Sequence, residues 1–376
     1  MRPNEIPLSL YIHIPWCVRK CPYCDFNSHQ SEKIPEGEYT HALIRDLANS
    51  LSRETRPLKS IFFGGGTPSL FSSDAISEII HAVKDHATFE DGIEITLETN
   101  PGTEEYARFD ALLDAGINRL SFGAQSFQNK HLATLGRIHN RDEIIQAVTK
   151  AKNAGFTNFN LDLMHGLPEQ TLEEAMADLN MAMSLAPSHI SWYQLTIEPN
   201  TVFYNKPPRL PDEEQLSDIQ DAGEAMLEAN GYVQYEVSAF AKAGQQSMHN
   251  TNYWTFGDYI GVGAGAHSKL SSHDGIYRHQ KSRLPEHYMT APLKNIQQTK
   301  VDKDIQPLEF MMNALRLKTG CSIDTLLART EIEWADLEST YTMLVDRGLC
   351  QSPPKLATTT QGFRFLNSVL AHFDTE

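Results

Sequence analysis

Apolar, β-branched runs recur along the chain with amphipathic stretches between them, and the alternation predicts strands and helices in turn. Strands are predicted over Ser9–Ile14, Ser60–Phe63, Ile93–Glu98, Arg119–Phe122, Phe156–Leu163, Ile190–Ile197 and Val233–Phe240. Helices are predicted over Glu38–Arg53, Asp74–His86, Glu104–Ala115, Arg141–Ala154, Leu172–Leu185 and Asp212–Asn230. Ser73-Asp74 and Asp212 offer N-cap side chains, while Gly116, Gly155 and Gly231 offer C-terminal stops. Alternating strands and helices make a parallel sheet with right-handed crossovers. So many consecutive units predict an α/β barrel, partial or full.

The pattern changes after about Leu308. Helical periodicity over Glu309–Lys318, Ile323–Arg329 and Trp334–Arg347 is followed by a two-strand stretch around Pro353–Thr358 and a last helix from Gln361. That order predicts a small winged-helix-like α+β domain. The division expected is a barrel over 1–240, an intervening segment over 241–300 and a C-terminal domain over 301–376, with the polar stretch Lys294–Gln306 as linker.

Acidic residues outnumber basic ones by 48 to 32, for a net charge of −16. With no Lys/Arg block to offset it, that field repels polyanions and argues against nucleic acid or an anionic membrane as partner. No apolar run approaches the ~18 residues of a membrane span, and Met1–Pro7 lacks the apolar region of a signal peptide. A cytoplasmic location is expected, without membrane insertion. Of the five cysteines, Cys17, Cys21 and Cys24 are clustered and Cys321 and Cys350 stand alone. A disulfide framework is usually spread out and even in number, so the cluster points to metal or redox chemistry.

In a parallel barrel the chemistry gathers on the loops after the strands. The three cysteines follow the first predicted strand, and Gly64-Gly65-Gly66-Thr67-Pro68 follows the second. The next three end in Glu98-Thr99-Asn100, Gly123-Ala124-Gln125-Ser126 and a segment holding Asp162 and His165. Three thiolates from one loop leave one iron of a four-iron cluster open to a further ligand. A structural Cys3His zinc with His13 or His29 is the alternative for the same thiols. A glutaredoxin-like C-x-x-C at Cys21-Pro22-Tyr23-Cys24 requires neither the third thiol nor so long an array. A c-type heme attachment needs His where Asp25 stands. The glycine run lacks both the Walker ending and the G-x-G-x-x-G spacing, but its bare backbone could hold an amino acid moiety. Glu98 could accept from a ribose hydroxyl, and Gln125, Arg137 and Asp162 could add hydrogen bonds or meet a carboxylate.

These residues resemble the radical S-adenosylmethionine superfamily, in Cys17-x3-Cys21-x-Tyr23-Cys24 and the Gly-Gly-Thr-Pro after it. The likeness is closer still to the oxygen-independent coproporphyrinogen III oxidase-like group. It runs through Tyr11-Ile-His-Ile-Pro-Trp-Cys17, Gly64-Gly-Gly-Thr-Pro-Ser69, Asn118-Arg-Leu-Ser-Phe-Gly-Ala-Gln125, Gly136-Arg-Ile-His139 and Asn160-Leu-Asp-Leu-Met-His-Gly-Leu-Pro168. The resemblance implies a partial TIM-like (β/α)6 barrel with a 4Fe-4S cluster on Cys17, Cys21 and Cys24. It places S-adenosyl-L-methionine on the open iron, touching Tyr11, Gly65, Gly66, Thr67, Glu98, Gln125, Arg137 and Asp162. The family chemistry it implies is reductive cleavage to a 5′-deoxyadenosyl radical, which in the dehydrogenase attacks porphyrinogen propionates.

Two departures separate the chain from that dehydrogenase. Phe26 stands where the enzyme has a fourth cysteine, and the first thiol already comes at residue 17. Both are similar to the sister branch of HemW-type heme chaperones, which implies binding of heme and its delivery to acceptor proteins, respiratory ones included. His249-Asn250-Thr251-Asn252-Tyr253-Trp254 resembles the H-N-x-x-Y-W motif proposed to serve heme there, and Gly263-Ala264-Gly265-Ala266-His267-Ser268 follows it. His249, Tyr253 and His267 are the heme candidates, His being the commonest heme ligand and Tyr a possible one. An active dehydrogenase or related tetrapyrrole oxidoreductase is the alternative. A tRNA-modifying radical enzyme is disfavoured by the charge.

Overall fold

The computed structural model describes residues 1–31, 33–101 and 109–374. Its strands are β1 (Leu8–Ile14), β2 (Trp16–Cys17), β3 (His29–Gln30), β4 (Leu58–Gly65), β5 (Phe89–Thr99), β6 (Arg119–Gln125), β7 (Phe159–His165), β8 (His189–Gln194), β9 (Val233–Glu236), β10 (Ala239–Ala241), β11 (Asp258–Val262), β12 (His267–Ser272), β13 (Gly275–Gln280), β14 (Gln297–Lys300), β15 (Cys321–Ser322) and β16 (Lys355–Leu356). Twelve of them form one sheet in the order β14-β13-β12-β11-β1-β4-β5-β6-β7-β8-β10-β9. The six strands from β1 through β8 in that order are mutually parallel. They form the six-unit α/β array expected.

The pleat sorts this sheet into two faces. Leu8, Leu10, Ile12, Ile14, Ile61, Phe63, Leu97, Leu120, Phe122, Leu161, Leu163 and Ile190 are fully buried in the main apolar core. There they meet the apolar sides of helices such as Glu36–Leu51, Ser73–His86 and Arg141–Ala154. The alternate residues are polar and bond one another across the other face. Ser60 donates to Ser9 at 2.8 Å, Asn160 to Ser121 at 2.8 Å, Ser121 to Asp162 at 3.1 Å, and Tyr193 to Gln125 at 2.9 Å. The hydrophobic effect thus fixes the outer layer and leaves a polar inner face free for chemistry.

Helix starts follow local capping chemistry. Asn140, Thr171 and Asp212 each close a reciprocal capping box with the residue three positions on. The first residues of the helix expected at Glu104–Ala115 lie outside the described residues, and Phe109–Ala115 is helical.

Three expectations are corrected. The stretch Val233–Phe240 is two antiparallel strands, β9 and β10, because Val237-Ser238 makes a tight turn with neither Gly nor Pro to announce it. The expected linker contains β14, which pairs with β13, and β11 to β14 extend the sheet past β1, β11 running parallel to β1. The two-strand stretch near Pro353–Thr358 closes on itself through a single bridge, Cys350 with Thr358, and Gln351 N–H donates to Ala357 C=O at 2.8 Å. Pro353 and Pro354 have no N–H to give, and the regular pairing of Lys355–Leu356 is with Cys321–Ser322. Around that pair a second apolar core gathers Phe310, Leu315, Leu326, Tyr341 and Leu344 of the C-terminal segment, and it also takes in Tyr235, Ala239, Phe256 and Ile276.

Candidate functional site at the strand C-termini

The cysteine loop hangs between β2 and β3, which pair in parallel and close it at its base. Trp16 anchors it in the core, edge-on to Tyr39 at 4.7 Å between centroids. The end of β4 is strapped to this loop by backbone alone. Gly66 N–H donates to Ile14 C=O and Thr67 N–H to Trp16 C=O, both at 2.7 Å. A Cβ on Gly66 would lie 2.4 Å from the Trp16 carbonyl oxygen, so the strap needs glycine there.

Beside the thiols opens a cavity of about 410 Å³, within the ~300–1,000 Å³ of small-molecule sites. Cys17, Cys21, Cys24, Gly65, Gly66, Thr67, Glu98, Gln125, Arg137 and Asp162 all line it. Tyr11 does not; it lies deeper on the inner face, donating from its hydroxyl to His13 Nδ1 at 2.9 Å and stacked on Phe62. Sequence reasoning missed Asn100 and Tyr193 as lining residues. Asn100 Nδ2 donates to Thr67 Oγ1 at 2.8 Å, and Tyr193 fixes Gln125, which has φ 67°. The inward alternation Ser191, Tyr193 along β8 was the available signal.

The electrostatics are those of a prepared site. Glu98 accepts only from Gly65 N–H among the bonds resolved, at 3.2 Å. Burial, with the Asp162 charge adding to it, pushes its carboxyl up to about 8. Burial also raises Asp162, despite donors from Asn160 and Ser121. Burial pushes up the Cys17 and Cys24 thiols, a cost that a bound metal reverses by taking the thiolate. Strained acids and free thiols facing one cavity mark a functional site.

The donor set fits a multi-iron cluster better than one zinc. Cys17, Cys21 and Cys24 line one cavity from a single loop, a three-thiolate set that leaves one iron of a four-iron cluster open to a further ligand. Both nitrogens of His13 are engaged, with Tyr11 and with the Asn27 carbonyl. That removes it as a fourth zinc ligand.

The heme candidates divide between the two ends of the barrel. His249 and Tyr253 sit on the helix Met248–Trp254, whose N-terminus is capped by Glu94. His249 is 3% exposed, faces Phe62 at 4.7 Å and meets Tyr253 edge-to-face at 4.9 Å, and Ser60 Oγ, which gives its own hydrogen to Ser9, accepts from His249 Nδ1 at 3.1 Å. Burial, then the Arg119 charge, lowers its imidazole to about 3. The other residues of the box are occupied as well. Asn252 donates to the Asp258 carbonyl at 2.8 Å, and Arg316 lies over the Trp254 ring at 4.3 Å. An axial-ligand role for His249 therefore meets an imidazole enclosed on both faces. His267 begins β12, is exposed, and follows the turn that Asn27 of the cysteine loop grips through Ala264 C=O at 3.0 Å. The structure does not bring His249 and His267 together.

An α/β barrel that gathers three thiols, a glycine strand end and two strained acids at one rim is of the radical S-adenosylmethionine class, and the model of that superfamily matches residues 11–182. The heme chaperone HemW of Haemophilus influenzae is 48% identical to this chain over 100% of both. That of Escherichia coli is 46% identical over 98% of this chain and 99% of its own length. The coproporphyrinogen III oxidase HemN of E. coli superposes with a TM-score of 0.83 at 23% identity, over 100% of this chain and 91% of that one. The chain belongs to the HemW family.

Proposed function

We propose that the protein is a heme chaperone, which binds heme and transfers it to acceptor proteins, respiratory proteins at the membrane among them. No helix of the described residues is long and apolar enough to cross a membrane. The observation that carries this function is the likeness, over the whole chain, to relatives named heme chaperones. Cys17, Cys21 and Cys24 would hold the 4Fe-4S cluster. Gly65, Gly66, Thr67, Glu98, Gln125 and Asp162 would hold S-adenosyl-L-methionine against it. When bound, the cluster supplies low-potential electrons to the nucleotide. The chain's part is to orient: Gly65 and Thr67 present backbone to the amino acid end, and Glu98 and Asp162 offer acceptors to hydroxyls. Phe26 lines this cavity at 60% exposure, adding apolar surface where the dehydrogenase has a thiol.

For the heme itself, His267 reaches solvent without rearrangement, whereas His249 requires the helix Met248–Trp254 to leave its seat. The test is an anaerobic heme titration of cluster-reconstituted protein, followed by the Soret band, with His267→Ala and His249→Ala in parallel. Saturable one-to-one binding that weakens in His267→Ala, and heme passage to an apo-acceptor, is the expected result. Absence of saturable binding sinks the chaperone function, and coproporphyrinogen III is then the first substrate to try.

A further inference from the structure

Arg137 is a half-buried cation with a partner that the nucleotide expectation does not cover. Its Nη1 lies 3.7 Å from Cys21 Sγ, within donor reach of a sulfur, while Nη2 donates to Gly123 C=O at 2.7 Å and to Asn100 Oδ1. A planar guanidinium gripped on one nitrogen has its other nitrogen fixed in direction. The backbone under Arg137 is fixed too. At Gly136 (φ 69°) a Cβ would lie 2.8 Å from Pro22 Cδ, and the Pro22 carbonyl accepts from Phe203 N–H at 3.0 Å. The cysteine loop and the Arg137 loop are thus packed on each other immediately beside the sulfur. Gly123 opens the passage, since a Cβ there would come within 3.2 Å of Arg137 Nη2 and 2.8 Å of Asn100 Oδ1. By contrast, Cys24 Sγ meets the neutral hydroxyl of Ser28 at 3.9 Å.

We propose that Arg137 donates a charge-assisted hydrogen bond to the Cys21 thiolate of the cluster and thereby raises the cluster's reduction potential, a role beyond the nucleotide contact expected of it. The proposal rests on the cluster assignment above. One electron entering a thiolate-bound cluster adds negative charge to the sulfurs, and a cation aimed at one of them stabilises that reduced state. Hydrogen bonds to sulfur and local charge are the protein's levers on such potentials.

The experiment is an EPR-monitored dithionite titration of reconstituted protein in the absence of S-adenosylmethionine, on the wild type, Arg137→Gln, Arg137→Lys and Gly123→Ala. Iron content and the denaturation midpoint are measured on the same samples. Arg137→Gln is expected to shift the one-electron reduction equilibrium at least tenfold toward the oxidised cluster, about 59 mV. Arg137→Lys, which keeps the charge without the fork, is expected to fall between, and Gly123→Ala to follow Arg137→Gln by displacing the guanidinium. An unchanged midpoint in iron-replete Arg137→Gln, with only nucleotide affinity reduced, overturns the proposal. Should Arg137→Gln lose its cluster, the midpoints of Arg137→Lys and Gly123→Ala decide: lowered potentials support the proposal, and unchanged ones overturn it. A wild type that assembles no four-iron cluster overturns the cavity assignment itself, a result separable from an unchanged midpoint.

Discussion

The two ends of the barrel are made of similar residues and are arranged to opposite effect. At the rim, Glu98 and Asp162 are half-buried acids raised by desolvation, facing a cavity with three free thiols. At the floor, Glu94 is more deeply buried but accepts from Ser247 Oγ and from the backbone N–H of Met248 and His249, with Arg119 at 3.7 Å. A carboxylate supplied with donors at a helix N-terminus is architecture. One with a single donor, beside a second acid and an open space, is a site awaiting a ligand. Satisfaction of polar groups, more than their identity, separates the two ends. The H-N-x-x-Y-W box joins the barrel floor to β11 through Asn252 and meets the C-terminal segment through Arg316.

The largest effect that could break this contrast is all-or-none. Replacing Cys17, Cys21 and Cys24 together by Ala should abolish iron uptake, while costing the metal-free chain under about 1 kcal/mol each, because half-exposed thiols make few packing contacts. Iron assay and urea midpoints check both halves. Retained iron, or collapse of the metal-free fold, would show that the rim is structural after all.

His249→Ala should behave in the reverse way. Removing a buried ring from between Phe62 and Tyr253 leaves a cavity and should cost about 3 kcal/mol, with heme stoichiometry and Soret position unchanged. Equilibrium urea unfolding and the heme titration read the two quantities separately. A stable variant that no longer binds heme would move the box from the floor's architecture to the heme site.

How much of this contrast was legible in the sequence depends on its range. Period-two alternation exposed the parallel strands, because each apolar residue on the outer face is dictated by local pattern alone. The strands β12 to β14 were not legible, since β12 buries the polar Ser268, Lys269 and Ser271 in place of an apolar face, and the edge strand Gln297–Lys300 is exposed throughout. The cysteines were readable from spacing within one loop. The partner of Arg137 was not, because it lies 116 residues away and depends on Gly123 having no side chain. The packing of the box was not legible for a related reason. A histidine among aromatics has the same local sequence whether it faces a ligand or a Phe62 ring, and only the tertiary fold decides.

Glu98 offers the finest test, because its strain has a sign in pH. In the metal-free folded protein its carboxyl keeps the proton to about pH 8, against 4.5 for the ordinary group. Between those values the folded state holds a proton that the unfolded chain has lost, so stability falls as pH rises through that window and stays low above it. Glu98→Gln carries no such charge. It should therefore be more stable than the wild type by about 2 kcal/mol at pH 9, a discounted figure for a partly accessible group at 1.36 kcal/mol per unit, and the gap should largely close by pH 5. Denaturant midpoints of the two metal-free proteins across that range measure it. A gap independent of pH would mean that Glu98 is already satisfied in the folded chain, like Glu94 at the floor. A gap that vanishes when the cluster and S-adenosylmethionine are supplied would mean that the ligand provides what the rim lacks.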